Sequence, residues 1–299
     1  RSKGAPVAVS ALAILDAETG EPDDCQLPVA LDAPGLSPIV RAVTSGPDGT
    51  VFVGGDFSSI GGVAVRHLAE IDVVTCSVEP FRTADINRPV RTLAIHDDTL
   101  YAGGEFETVG TQTRRHFAAF DSSTGDLLPW VADADETGRG IGVSPDGRKV
   151  AIGGDFDTVN GARSHAVAVV DGTSGRNLRT YPEPFLPSNS VIKHIWSGSD
   201  RFYLSAEGSG RRVFDGRVAI SWSSLDQVWR DTCLGATQAT IEYAGTLYSA
   251  SHAHNCGDEA FQDGKRNFFL AQSATTSTLL GWDPRANDGI GEGNGPRAL

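Results

Sequence analysis

Three near-identical segments, Val51-Phe52-Val53-Gly54-Gly55-Asp56-Phe57, Leu100-Tyr101-Ala102-Gly103-Gly104-Glu105-Phe106 and Val150-Ala151-Ile152-Gly153-Gly154-Asp155-Phe156, recur at a spacing of about fifty residues. A fixed period in this range marks a chain made of one supersecondary unit that buries its apolar face only against its neighbours. Whatever else the chain does, it folds as an array.

Aligning on these segments exposes the whole unit. An inner strand (Val40-Arg41-Ala42-Val43; Val90-Arg91-Thr92-Leu93) leads through a tight turn such as Gly46-Pro47-Asp48-Gly49 or Ser144-Pro145-Asp146-Gly147 into the Gly-Gly strand. Asp-Gly between apolar runs is a hairpin signal. After a small polar loop comes an alternating strand that ends in Asp (Leu68 to Asp72, Phe117 to Asp121, Val167 to Asp171), then a turn and an outer strand carrying an aromatic residue: Phe81, Trp130, Tyr181, Trp229 or Trp282. Antiparallel four-stranded units repeated in this way predict an all-β fold, the β-propeller. Weaker copies at Val191 to Glu207 and Thr237 to His252, and a half-unit in residues 5–40 completed by Gly295 to Leu299, predict six blades. One blade is then assembled from the N- and C-terminal segments, and 1–299 form a single domain. The glycine pairs are expected to permit close backbone approach; no Lys-Ser/Thr follows them, so a phosphate loop is not indicated.

The formal net charge of -13 disfavours nucleic acid and anionic membranes as partners. No apolar run reaches the length of a membrane span. The absence of Met, including at position 1, reads as a processed or excised piece of a longer chain. A monomer is expected.

The run from the inner strand through Gly-Gly-acid-Phe to Leu-Ala-x-x-Asp, together with Asp231 to Gln238, Ser251 to Cys256 and Asn287 to Glu292, resembles the delta-sixty-type propeller repeats of secreted actinobacterial proteins. Kelch-type and fungal cell-polarity propellers are similar at a greater distance. The resemblance implies a secreted or cell-surface propeller, often joined to other modules.

The first residue of each inner strand and the acid of each second strand fall at matching ends of one hairpin: Arg41 with Asp56, Arg91 with Glu105, Arg139 with Asp155, and Lys193 with Glu207. Opposite charges placed side by side on antiparallel strands stabilise the pair, so these read as structural ion pairs. The fifth hairpin departs from the rule, with Gln238 and His252 in the two places. Its following loop, 251–267, and the oxygen-rich loop 283–296 share one face, and long loops on a rigid scaffold are where binding usually resides. His252, His254, Gln238, Asp288 and Glu292 are therefore the candidate ligand-binding residues. His252 and His254 alternate on an extended segment and so point the same way. With Asp258 or Asp263, and Asp283, they form a candidate zinc or calcium site, although neither a four-ligand zinc pattern nor EF-hand spacing is present. His67, His116 and His165 recur before the third strand, which predicts a shared structural role. Blade adjacency pairs Cys25 with Cys76 and Cys233 with Cys256 as disulfides.

No nucleophile elbow and no His-Glu-x-x-His segment occurs. The expectation is an extracellular module that binds a glycan or a protein through the face bearing 251–267 and 283–296. Two alternatives stand beside it: a secreted enzyme that uses the acidic channel mouth on a polysaccharide, and a structural spacer in a multidomain surface protein.

Overall fold

The computed structural model describes residues 10–79, 85–232, 235–251, 268–282 and 284. It divides into two compact units, Arg1–Pro129 and Trp130–Leu299. Apart from a single 3-10 turn at Pro47–Gly49, all regular structure among the described residues is β.

In the first unit, β1 (Val29–Ala30) precedes β2 (Ile39–Ser45), β3 (Thr50–Asp56), the short pair β4 (Ser59–Ile60) and β5 (Val63–Ala64), then β6 (Leu68–Asp72) and β7 (Ser77–Glu79). Strands β2, β3, β6 and β7 form one antiparallel sheet in chain order, and β1 adds to the β4–β5 hairpin. The second sheet follows with β8 (Val90–His96), β9 (Thr99–Gly104), the hairpin β10 (Thr108–Val109) and β11 (Gln112–Thr113), and β12 (Phe117–Asp121). Its fourth strand is reduced to the bridge Phe120↔Leu127. Pro129, which lacks an N–H for the ladder, stands where that strand would continue.

The second unit repeats the plan with β13 (Gly138–Val143), β14 (Lys149–Gly154), the hairpin β15 (Thr158–Val159) and β16 (Ala162–Arg163), β17 (Val167–Asp171) and β18 (Asn177–Thr180). A four-stranded sheet comes next: β19 (Ser190–Ser197), β20 (Arg201–Gly208), β21 (Gly216–Ser221) and β22 (Gln227–Thr232). Last is a sheet of β23 (Thr237–Tyr243), β24 (Thr246–Ser251) and β25 (Phe269–Ser273), with a bridge Gln272↔Leu279 in the outer place.

Local chemistry explains these turns. Asp48 and Gly49 both take positive φ, 52° and 82°, which this residue pair tolerates better than most. Asp72, Asp121 and Asp171 each accept hydrogen bonds from the backbone N–H groups two and three residues ahead, which closes the turn into the outer strand. The hydroxyls of Ser123 and Ser174, first for Asp121 and Asp171, and the backbone N–H of Thr75, first for Asp72, favour the ionised carboxylates together with the other turn bonds and hold all three below the usual Asp range.

Within each unit the core lies between consecutive sheets. Phe52 and Leu68 pack with Val90, Leu100, Phe106 and Phe120 in the first unit. In the second, Val167 and Val169 pack with Ile192, Phe202, Leu204 and Val218. The glycine pairs serve this stacking in two ways. A Cβ on Gly54 or Gly153 would stand 2.6 Å from the side chain of Val90 or Ile192 on the next sheet. A Cβ on Gly55, Gly104 or Gly154 would stand 2.1, 2.3 or 2.0 Å from the carbonyl oxygen of Ile39, Pro89 or Thr137 within its own hairpin. Close approach is therefore needed, as expected, but half of it is inside each sheet.

Three of the aromatic residues near the outer strands clasp the next sheet, whereas Trp282 is 42% exposed and stands edge-on to Tyr248 and Phe269 of its own sheet. Trp130 Nε1 donates to Asp171 O at 3.0 Å, Tyr181 OH to Leu225 O at 2.8 Å, and Trp229 Nε1 to Ala274 O at 2.9 Å. Each polar tip thus meets a turn carbonyl while the ring fills the space between sheets. Phe81 lies outside the described residues.

Candidate functional site at the fifth hairpin

All five inner hairpins among the described residues share a register defect: Arg41, Arg91, Arg139, Lys193 and Gln238 are each the extra residue of a β-bulge. A bulge leaves its residue outside the ladder, bends the strand and re-aims the side chain. Opposite it stand small residues only, Gly54-Gly55, Gly103-Gly104, Gly153-Gly154, Ser205-Ala206 and Ala250-Ser251.

The side chains of Arg91, Arg139 and Lys193 reach the acids at the ends of their partner strands. Arg91 Nε donates to Glu105 Oε1 at 2.7 Å, and Arg139 binds Asp155 in fork geometry with both contacts at 2.6 Å. Lys193 Nζ lies 3.2 Å from Glu207 Oε2. Asp56 Oδ1 lies 4.0 Å from His67 Nδ1. At the fifth hairpin Gln238 Nε2 donates to the same Glu207 oxygen at 2.5 Å, so this carboxylate joins two sheets.

Beneath this hairpin lies a polar network that the sequence reading missed. Arg217 and Asp231 face each other across β21 and β22, and the arginine side chain is fully buried. Its Nε donates to Asp231 Oδ1 at 2.8 Å, its Nη2 donates to the same oxygen, and its Nη1 reaches Thr237 Oγ1 at 3.5 Å. Gln272 Nε2 donates to the other oxygen, Oδ2, at 2.5 Å. Gln272 Oε1 and Ser249 Oγ are buried without a hydrogen-bond partner among the described residues. The network anchors Thr237, which pairs directly with Ser251, the last described residue before His252. His252, His254, Asp258, Asp263, Asp283, Asp288, Glu292, Cys233 and Cys256 lie outside the described residues. Among the described residues no group of three or more His, Cys, Asp or Glu side chains is arranged to hold a metal ion.

The recurring histidines divide into two roles. His67 and His116 are left-handed, at φ 65° and 70°, and place Nδ1 3.1 Å from Gly55 O and Gly104 O respectively. In the third sheet Ala166 takes that backbone position, at φ 63°. His165, one residue earlier, instead sets Nδ1 2.7 Å from Asp157 Oδ1 and Nε2 2.9 Å from Pro187 O. One shared role for all three does not hold, because the third repeat places its histidine one step out of phase.

Burial pushes His194 down to about 4 and also lowers His67. Thr240 N–H donates to His194 Nδ1 at 3.4 Å, which suits the neutral ring. A histidine whose folded pKa is depressed binds fewer protons folded than unfolded, so stability is fullest above pH 6.5 and falls as pH drops from 6.5 toward 4. The expected slope from this residue is at most about 1.4 kcal/mol per pH unit. Urea midpoints at pH 7.5 and 5 should show the loss, and His194→Asn should shrink it; an unchanged pH response in that variant would remove His194 as the cause.

Cys25 and Cys76 form a disulfide, with Cα atoms 5.5 Å apart. Among the described residues no helix is long and apolar enough to cross a membrane.

A family model described as a domain of unknown function (DUF5122) β-propeller matches residues 46–72, the stretch from the first hairpin turn to the end of β6. No curated protein matches the sequence. Solved structures similar to the chain include one titled Crystal Structure of Mitotic Checkpoint Complex, at 15% identity and TM-score 0.58, covering 89% of this chain and 71% of that one. Another is U3-55K, at 11% identity and TM-score 0.56, with 86% and 67% covered. The WD40 β-propeller domain of Doa1 is similar at 11% identity and TM-score 0.55, with 81% and 67% covered. These likenesses show a propeller-like fold.

Proposed function

We propose that the chain is a non-catalytic extracellular binding module, a six-bladed propeller of the delta-sixty type, with one blade assembled from the two ends of the chain. Its ligand is a glycan or a protein, taken by the face carrying loops 251–267 and 283–296. The observation that carries the reading is Gln238. It occupies the fifth bulge without the charge of the other four, and it spends its amide on Glu207 of the neighbouring sheet. The specialisation is concentrated where the buried Arg217 network fixes the strand end leading to His252. The similarity to a solved structure of a Mitotic Checkpoint Complex supports a protein-binding role. The Cys25–Cys76 disulfide supports an oxidising compartment.

The test is the double substitution His252→Ala with His254→Ala, assayed on a glycan array and against surface proteins of the producing cell, with metal analysis of untreated protein alongside. Loss of the binding made through this face, with little change in thermal stability, is expected, because the sequence pattern assigns the pair to the segment after the fifth hairpin and not to an apolar strand. Unchanged affinity for every ligand found would place the site elsewhere. Zinc in the untreated protein would favour the histidine pair, and calcium the oxygen-rich loop.

A further inference from the structure

A cleft of about 730 Å³ opens beside the β10–β11 hairpin, larger than the corresponding clefts beside β4–β5, about 510 Å³, and β15–β16, about 340 Å³. Its wall includes Arg114, with Asp85, Thr111, Gln112, Asp126 and Leu127 around it. Arg114 is only 9% exposed. Its Nη1 donates to Thr113 O at 2.8 Å and its Nη2 to Leu128 O at 3.1 Å, while its Nε is buried with no partner among the described residues. No carboxylate among the described residues forms an ion pair with it.

The fold does not require a charge here. The equivalent position is Val65 in the first repeat and Ser164 in the third, both buried. Ser164 is fully satisfied there: its Oγ accepts from Tyr181 N–H at 2.8 Å and donates to Val167 O at 2.6 Å. A buried guanidinium held by backbone carbonyls alone pays desolvation without the ionic partner that normally offsets it. An anion entering the cleft supplies that partner, and guanidinium favours carboxylate through directed, charge-assisted hydrogen bonds.

We propose that this cleft binds a carboxylate-bearing sugar of the uronic acid class, with its carboxylate on Arg114. The class follows from the rest of the wall. Asp85 and Asp126 are exposed and accept hydrogen bonds from hydroxyl groups. Together with the net charge of -13 they oppose a ligand carrying several negative charges, such as an acidic peptide. Leu127 and Pro129 give the apolar surface on which a sugar's C–H face rests. One carboxylate on a polyol satisfies every part of the wall. The site is in a different repeat from the fifth hairpin, so the His252/His254 double variant leaves it intact and the two readings fail separately.

The full chain, titrated with glucuronic acid and with glucose at low salt, provides the test, with affinity read by calorimetry and the Arg114 Nε–H resonance followed by NMR. Glucuronic acid should bind and shift that resonance, and glucose should do neither. Arg114→Val, which installs the residue of the first repeat, should lose binding at least tenfold while keeping or raising the melting temperature. Arg114→Lys should weaken binding without abolishing it. The proposal is overturned if glucuronic acid leaves the Nε–H resonance unmoved, if glucose binds equally, or if Arg114→Val binds as well as the parent. A shift produced by N-acetylaspartate and not by glucuronic acid would assign the cleft to acidic peptides instead. Should Arg114→Val fail to fold, the resonance of the unsubstituted protein decides.

Discussion

Arg217→Ala is expected to destabilise the protein by about 3–5 kcal/mol, because it strands Asp231 as a buried charge without its cation. Arg217 is fully buried, opposite Asp231 across β21 and β22, and two further strands, β23 and β25, reach the pair through Thr237 and Gln272. Two of the aspartate's hydrogen bonds vanish with the guanidinium, and the cavity left behind adds its own cost. Removing both charges together should be far milder, since the desolvation of the ion pair disappears with the pair. Arg217→Met combined with Asp231→Leu should therefore recover most of the loss. Guanidinium unfolding of the parent, the single and the double variant checks this in one series. A single variant within about 1 kcal/mol of the parent would mean that the pair is solvated in the native protein.

Reduction of the Cys25–Cys76 disulfide is expected to cost about 4 kcal/mol, as chain entropy predicts for its sequence separation of 51 residues. The loss has a second component that can be isolated. Cys76 has φ 56°, at the turn position where Gly125 and Gly175 take 72° and 76° in later repeats. A non-glycine residue there carries left-handed strain of about 1–2 kcal/mol that glycine avoids. Cys25→Ser with Cys76→Gly should accordingly be more stable than Cys25→Ser with Cys76→Ser by roughly that amount. Unfolding midpoints of the two double variants read the difference directly. Equal midpoints would show that the turn relaxes once the bridge is gone.

The parts of the fold legible in the sequence are those written in a few adjacent residues. Gly-Gly-acid-Phe marks the second strand, Asp-Gly the hairpin turn, and the Asp at the end of the third strand announces the turn that its own carboxylate builds. The bulges at Arg41, Arg91, Arg139, Lys193 and Gln238 were not legible, because a bulge is a difference in count between two strands and changes no residue type. The matched charges were visible, yet the geometry that turns them toward each other was not. Arg217 and Arg114 had a readable signal that went unused. Arg217 stands where the other repeats have Leu68, Phe117, Val167 and Phe269, and Arg114 stands where they have Val65 and Ser164. A charge at an apolar position of a repeat is either costly or functional, and comparing repeats position by position finds it without any structure. Of the candidate binding residues only Gln238 falls among the described residues, and its contact with Glu207 crosses from one repeat to the next, a relation no single-repeat alignment contains.

The shared bulge also limits how such repeats are recombined. Each bulged strand and the small residues opposite it have to be inherited together, since a strand with the extra residue placed against a bulky pair would drive a side chain into a carbonyl about 2 Å away, as the glycines of the first three hairpins show. The natural crossover points are therefore the turns before each inner strand, never the hairpin tip between the inner and second strands. A library of shuffled repeats cut at the hairpin tips should yield few folded members, whereas one cut at residues 135–137 or 187–189 should keep most of them.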